Sequence, residues 1–231
     1  MINTIRTSHS IPQLAGIRLQ EFFAALRSVI GAVTSAHTAD CLLYATVTAA
    51  ALSYLGIVGA EARMGSAMWR VGAGDGDVIV HAMEVQGAKF APAMAPQALP
   101  FHAWVEVEDN ILDFTTWTLK AKARILDSLD GGSTSVEWCP DYLVVPATSS
   151  TSLRQVQCGF EAGLYAYIRH QEVEEIVRRR SPGVERIAPL VAGVIHAYRA
   201  SLHGETVAVV GVNRDGSLQT EAVAAEYAVV S

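Results

Sequence analysis

Between Asp40 and Glu61 the chain runs twenty residues, Cys41 to Ala60, without a charged side chain. A run of that length can span a bilayer. This one holds Tyr44, Thr46, Thr48, Ser53, Tyr54, Gly56 and Gly59, is rich in alanine rather than leucine, and is flanked by acids. It lacks the Lys and Arg flanks that orient membrane spans. A helix apolar on every side is equally the central helix of a soluble domain, and that is the expectation. The helix is expected from Cys41 to about Leu55, stopped at Gly56 and capped by Thr38 or Asp40. The cap places Cys41 in the first turn.

A buried central helix needs a core around it. With 231 residues, 51% hydrophobic and 17% charged, the chain suits one large domain, or one domain with a small appendage, and excludes a disordered chain. Lys and Arg number 17 against 23 for Asp and Glu, a net charge of -6, which argues against nucleic acid and anionic membranes as partners. The three cysteines, Cys41, Cys139 and Cys158, are an odd number without zinc-knuckle or CxxC spacing. The expectation is a reducing cytoplasm with free thiols, and no metal or other cofactor. Met1 to Gln13 has one Arg and no apolar run, unlike a secretory signal.

Apolar residues at helical spacing predict a first helix within residues 13–34, ahead of the Cys41 helix. Strands are predicted at 62–71, 78–85, 100–108 and 110–115, and a last one at 136–145, after a turn at Gly131-Gly132-Ser133. The loop 86–100 holds three prolines and reads as a surface excursion. Residues 146–152 (PATSSTS) read as a linker. It divides an α+β domain, residues 1–146, from a helical C-terminal extension, 153–231, that packs on it. In the extension, 153–180 and 184–202 carry helical patterns, 206–212 a short strand, and Asp215-Gly216 a turn.

The strongest chemical signal is an order of three residues. Cys41 opens the apolar helix, His102 lies in the strand FHAWVEV (101–107), and Asp113 follows in ILDFTTW (111–117). A thiol nucleophile needs a base, and the base needs a third group to fix its tautomer. A helix N-terminus lowers a thiol pKa and offers N–H groups to an oxyanion. The stretch LGIVGAEARMGSAMW (55–69) stands between the Cys helix and the His strand. These four pieces, over roughly residues 35 to 118, resemble the transglutaminase-like branch of the papain-like cysteine enzymes. The resemblance implies an antiparallel sheet packed on the Cys helix. It also implies acyl transfer or hydrolysis of an amide or ester through a thioester, with Cys41, His102 and Asp113 as catalytic residues. The substrate would be a peptide or a small amide or ester. Transglutaminases proper often carry a glycine before the Cys and an aromatic after it; here Ala39-Asp40 precede and Leu42 follows. Hydrolysis or transfer to a small nucleophile therefore stands beside cross-linking. A non-catalytic binding or scaffold module on the same fold is the alternative. Oligomeric state is not fixed by the sequence.

The register between the two strands is decisive. A turn at Asp109-Asn110 would pair Asp113 with Glu106, leaving His102 four residues away, about 13 Å. A turn at Glu108-Asp109 sets Asp113 opposite Trp104, diagonal to His102 and within reach. A bulge would have the same effect. A cysteine at a helix start is, taken alone, more often a small buried hydrophobe than a nucleophile; the company of His102 and Asp113 tips the reading. Cys139 and Cys158 lack such company. His81 is a rival base, and His37 precedes the Cys helix. Trp104 and Glu106 share the His102 face and suit structural roles. The glycines of VGAGDGDV (71–78) lack the spacing of a dinucleotide loop. Arg178 to Arg180 follow Glu172, Glu174 and Glu175 as a salt-bridged helix face.

Overall fold

A computed structural model of the chain describes residues 14, 16–34, 40–82, 101–180, 184–212 and 218–223. The first helix, α1, spans Leu19–Gly31, and Phe22, Phe23, Leu26, Val29 and Ile30 are buried along it. Spacings of three and four put them on one side. The uncharged run forms α2, Cys41–Tyr54, which gives way to Leu55 and to Gly56 at φ 92°. Residues of α2 are buried from Cys41 to Leu52 because the helix is enclosed: a sheet covers one side, and α1 and a late helix, α6 (Val184–Leu202), cover the other. Fourteen residues make about 21 Å of helix, short of a hydrocarbon core. Among the described residues no helix is long and apolar enough to cross a membrane.

The sheet is antiparallel and has six strands: β1 (Glu61–Arg70), β2 (Val78–His81), β3 (His102–Val107), β4 (Asn110–Asp113), β5 (Leu143–Pro146) and β6 (Tyr165–Arg169). Residues 65–69 of β1 pair with β6. Residues 67–69 of the same stretch also pair with β2, and Gly65 also pairs with His102 of β3. A strand has two edges, so β2 and β3 lie end to end along the edge of β1 opposite β6. The second row of the sheet is thus interrupted between His81 and His102. The expected loop 86–100 falls in this interval, outside the described residues. β4 and β5 continue the sheet outward from β3.

Alternation sorts the side chains. Met64, Ala103, Val105, Val107, Leu112 and Val144 join the core formed with α1, α2 and α6. Ala67, Trp69, Trp104, Ile111, Leu143, Val145 and Tyr167 join a second core on the opposite face. There α3 (Leu119–Asp130) contributes Leu119 and Ala123, and the segment 131–142 contributes Val136, Trp138 and Cys139. Each large apolar side chain buried completely, such as Phe22, Leu26 or Leu52, contributes about 1.5–3 kcal/mol.

Several expectations need correction. The helix α3 was not foreseen, since Lys120, Lys122, Arg124 and Asp127 dilute its apolar face. The strand expected at 136–145 is confined to β5, and 131–142 crosses the sheet without regular structure. Residues 153–180 are not one helix: α4 (Leu153–Cys158), β6 and α5 (Gln171–Arg180) follow in turn. Gly159 and Gly163, the latter at φ 94°, break the helix, and the alternation Tyr165, Tyr167 restarts the chain as a strand. The C-terminal part returns β6 to the first sheet; the short strand expected at 206–212 is present as β7 (Val207–Val212) and pairs antiparallel with β8 (Leu218–Val223). The stretch 146–152, read as a linker, is an ordered joint between β5 and α4. Thr151 N–H donates to Tyr165 O at 3.0 Å, and Ser152 and Gln155 form a capping box on α4. The Asp215-Gly216 turn lies outside the described residues. The glycine run 71–78 is closed on itself: Asp77 accepts from the Gly74 N–H and the Ser135 N–H, both at 2.7 Å.

Candidate functional site

Glu108 and Asp109 have φ of 48° and 63°. Positive values at both central residues make a type I′ hairpin turn. The pairs Val107↔Asn110 and Val105↔Leu112 follow from it. One residue further, this register sets Asp113 opposite Trp104, the early turn of the two alternatives. His102 Nε2 lies 2.8 Å from Asp113 Oδ2. Both side chains are buried, at 0% and 1% exposure.

Asp113 is held by more than the histidine. Its Oδ1 accepts from the Thr115 N–H at 2.9 Å and the Thr115 hydroxyl at 2.7 Å. Its Oδ2 also accepts from the Tyr167 hydroxyl at 2.8 Å, and that hydroxyl accepts from Trp69 Nε1 at 2.9 Å. Burial favours the neutral acid, but the charge and hydrogen bond of His102, then Lys122 and Thr115, outweigh it, and the carboxyl is held far below its ordinary range. Tyr167 moves the other way: burial and then the Asp113 charge push its hydroxyl well above the usual value, so it stays a donor. The His102 ring stands perpendicular to Trp69, centroids 4.8 Å apart, and stacks at 6.4 Å on Trp104. Gly65, paired with His102, lets β6 come close to β1: a Cβ there would sit 2.0 Å from Ile168 O of β6.

Cys41 reaches the pair from the other side of the sheet. It is the first residue of α2 and belongs to the core of the opposite face. Its sulfur lies 4.0 Å from Phe101 O, beside the first residue of β3. The thiol therefore meets His102 where the second row of the sheet is interrupted. His102 Nδ1 is buried without a hydrogen-bond partner among the described residues, so ring and sulfur are electrostatic neighbours short of a well-formed hydrogen bond. Burial pushes the thiol up, yet the hydrogen-bonding reach and charge of His102, then the Lys122 charge and the Ala103 backbone, bring it below its ordinary value. Burial pulls His102 down, yet Asp113 and then Cys41 raise it above its own. Asp40 holds the N-cap position without a side-chain cap hydrogen bond; Thr38 and His37 lie outside the described residues.

Two further groups border the three. Lys122 of α3 is 5% exposed, and its Nζ stands over the Trp69 ring, 5.4 Å from the centroid. Sequence reasoning missed it along with its helix. Its spacing of three from Leu119, and its place next to Ala123, put it on the buried face, and that was the available signal. Tyr167 was missed because residues 153–180 read as helix. His81, the rival base, ends β2 with its ring 5.6 Å from that of His102. Burial, then the charges of Lys122 and His102, push it down to about 2. It is neutral at ordinary pH and holds a proton too weakly to serve as the site's base. Trp104 Nε1 donates to Glu106 Oε1 at 3.0 Å, and Glu106 Oε2 accepts from Arg63 Nε at 3.2 Å, which gives both residues structural partners. Cys139 faces the Thr116 and Trp117 carbonyls at 3.5 Å, and Cys158 is exposed. On α5, Arg179 pairs with Glu175, while Glu174 turns inward to Arg169. Among the described residues no group of three or more His, Cys, Asp or Glu is placed to hold a metal ion.

Residues 18–125 match a family described as a protein of unknown function (DUF2026), a stretch that contains Cys41, His102, Asp113 and Lys122. Among curated proteins, none matches the chain. A solved structure, described as the crystal structure of genomics APC5867, is similar in fold. It is 18% identical, with 90% of this chain and 91% of that one covered and a TM-score of 0.57. At that identity the likeness extends to the fold alone: an α+β chain, alike over nearly its whole length.

Proposed function

We propose that the chain is a thiol-dependent acyl enzyme of the transglutaminase-like kind, acting on an amide or ester. The observation that carries this reading is the 2.8 Å contact of His102 Nε2 with Asp113, which leaves Nδ1 as the nitrogen turned to the Cys41 thiol. With Nε2–H donating to the carboxylate, Nδ1 is the basic nitrogen. It takes the thiol proton as sulfur attacks the carbonyl carbon. The tetrahedral oxyanion draws on N–H groups of the first turn of α2, that of Cys41 among them. The C–N or C–O bond then breaks, the imidazolium returns its proton to the leaving amine or alcohol, and a thioester remains on Cys41. Water or an amine attacks the thioester, gives a proton to His102, and leaves with the acyl group, after which the proton returns to sulfur. Asp113 stays ionised throughout and stabilises the imidazolium.

The test uses the protein's own cysteines as references. Iodoacetamide at pH 7, followed by mass spectrometry of the cysteine peptides, is expected to label Cys41 faster than Cys158, although Cys158 is the exposed one. Labelling of Cys41 slower than Cys158 would leave the non-catalytic scaffold as the better reading.

A further inference from the structure

Lys122 is a buried lysine with no carboxylate within 4 Å among the described residues, where the ion pairs use other cations; burial pulls its ammonium below the ordinary lysine value, and the charges of Asp113, Cys41 and Cys139 oppose that pull. Taking an ammonium out of water costs several kcal/mol unless something returns the charge interaction. The Trp69 face, 5.4 Å from Nζ, returns only part of it. Trp69 in turn touches the His102 ring. The charged and titratable groups that interact with the ammonium come from several elements: Asp113 from β4, His81 from β2, Cys41 from α2 and Cys139 from the segment after α3. Tyr167 of β6 closes the far side of Asp113, and Asp40 precedes the thiol in the chain.

Charge bookkeeping shows what such a cation does. Asp113 is ionised and buried. Alone with neutral His102 and neutral Cys41 it would leave the site at -1, and its field would oppose a second anion on sulfur. With Lys122 the site is neutral both before and after the proton moves from Cys41 to His102. From this placement, and resting on the thiol-enzyme reading above, we infer that Lys122 is a positioning residue for charge: it offsets Asp113 so that the Cys41 thiolate can form. Asp113 can then hold and polarise His102 without suppressing the nucleophile. The direction of the Cys41 shift, to which the Lys122 charge contributes, agrees.

The experiment measures the rate of Cys41 alkylation by iodoacetamide against pH, peptide by peptide, in the full chain. Lys122→Met removes the charge and keeps the stem that packs on Trp69. It is expected to move the Cys41 midpoint up by about one pH unit, the size expected of one nearby opposite charge, with Cys158 unmoved. Lys122→Arg is expected to keep the midpoint near that of the wild type. A merely structural lysine would change thermal stability and leave the midpoint in place. Lys122→Gln serves where the Met variant fails to fold, with circular dichroism as the check. The same substitution in a His102→Ala background separates this inference from the one it rests on. A retained upward shift there supports Lys122 acting on sulfur directly, whatever the role of His102. A midpoint unchanged within a few tenths of a unit in a folded neutral variant overturns the inference, even if Cys41 itself proves reactive.

Discussion

The two faces of one sheet differ in kind. Under α1, α2 and α6 the face is packed with aliphatic and aromatic side chains, Met64, Val105, Leu112 and Phe114 among them. The face under α3 carries Trp69, Trp104 and Tyr167, and among these rings lie His102, Asp113 and Lys122, all nearly inaccessible. The backbone alternation that sorts apolar from polar in an ordinary strand here sorts a wholly apolar face from one that also holds titratable side chains, with both kinds buried. The first face supplies stability. The second spends some of it, since each buried charge must be held by partners. Cys41 belongs to the first face by packing and to the second by electrostatics.

Substitutions on the two faces should therefore fail in different ways. The largest expected effect is on the apolar face. Leu26→Ala, at a position with 0% exposure, is expected to cost about 2–5 kcal/mol of unfolding free energy. The alkylation rate of Cys41 in the folded protein should stay as it was. Urea unfolding and thiol labelling on the same sample check both halves; a large loss of Cys41 reactivity in folded Leu26→Ala would erase the distinction. His102→Ala reverses the pattern. Without the hydrogen bond and charge of His102, burial pushes the thiol up, and labelling at pH 7 should slow about tenfold for each unit by which it rises. If the rate is unchanged, His102 is not the base.

A smaller effect sharpens the difference through pH. His81 has a folded value of about 2, below the unfolded value of about 6.5. As pH falls below about 6.5 the unfolded chain gains a proton there that the folded chain refuses, so His81 subtracts stability on the acid side. His102, raised in the fold, does the reverse: its contribution is fully present below about 6.5 and is lost as pH rises through its folded value. Asp113, depressed in the fold, contributes above about pH 3.9 and loses that contribution as pH falls further. His81→Leu is therefore expected to flatten the fall in stability between pH 6 and 4, by up to about 1.4 kcal/mol per pH unit, one proton's worth. Urea midpoints at several pH values, wild type against variant, measure it. Parallel curves would mean that His81 charges in the folded protein.

How much of this was legible in the sequence depends on which face a residue serves. The apolar face was plain: the spacing in α1 and the charge-free stretch from Cys41 gave both helices, and Val184–Leu202 has its expected bounds. His102 and Asp113 were readable because strand parity and a turn position can be reasoned on paper, and Glu108-Asp109 proved to be the turn. Lys122 and Tyr167 were not. Lys122 sits on a helix whose charged residues hid its apolar side. Tyr167 sits 54 residues from the Asp113 it binds, in a strand too short to stand out between two helices. Groups that tune a buried charge come from wherever the fold brings the chain back, and local pattern carries no trace of that return.

Tyr167 is where that missed layer can be tried with the least disturbance. Tyr167→Phe removes one oxygen and keeps the ring that packs against Trp104 at 5.3 Å. It takes one of four donors from Asp113 and the acceptor from Trp69 Nε1. Two buried hydrogen bonds are lost, each worth about 1 kcal/mol net, so stability should fall by about 2 kcal/mol. The effect on the thiol should run opposite to that of neutralising Lys122. With one donor fewer, the carboxylate draws harder on the His102 proton, which raises the imidazole and favours the thiolate. The Cys41 midpoint should stay or move slightly down, never up. An upward shift in folded Tyr167→Phe would mean that the hydroxyl supports the nucleophile by another route, and that the charged face is organised around tyrosine rather than around the Asp113 and Lys122 pair.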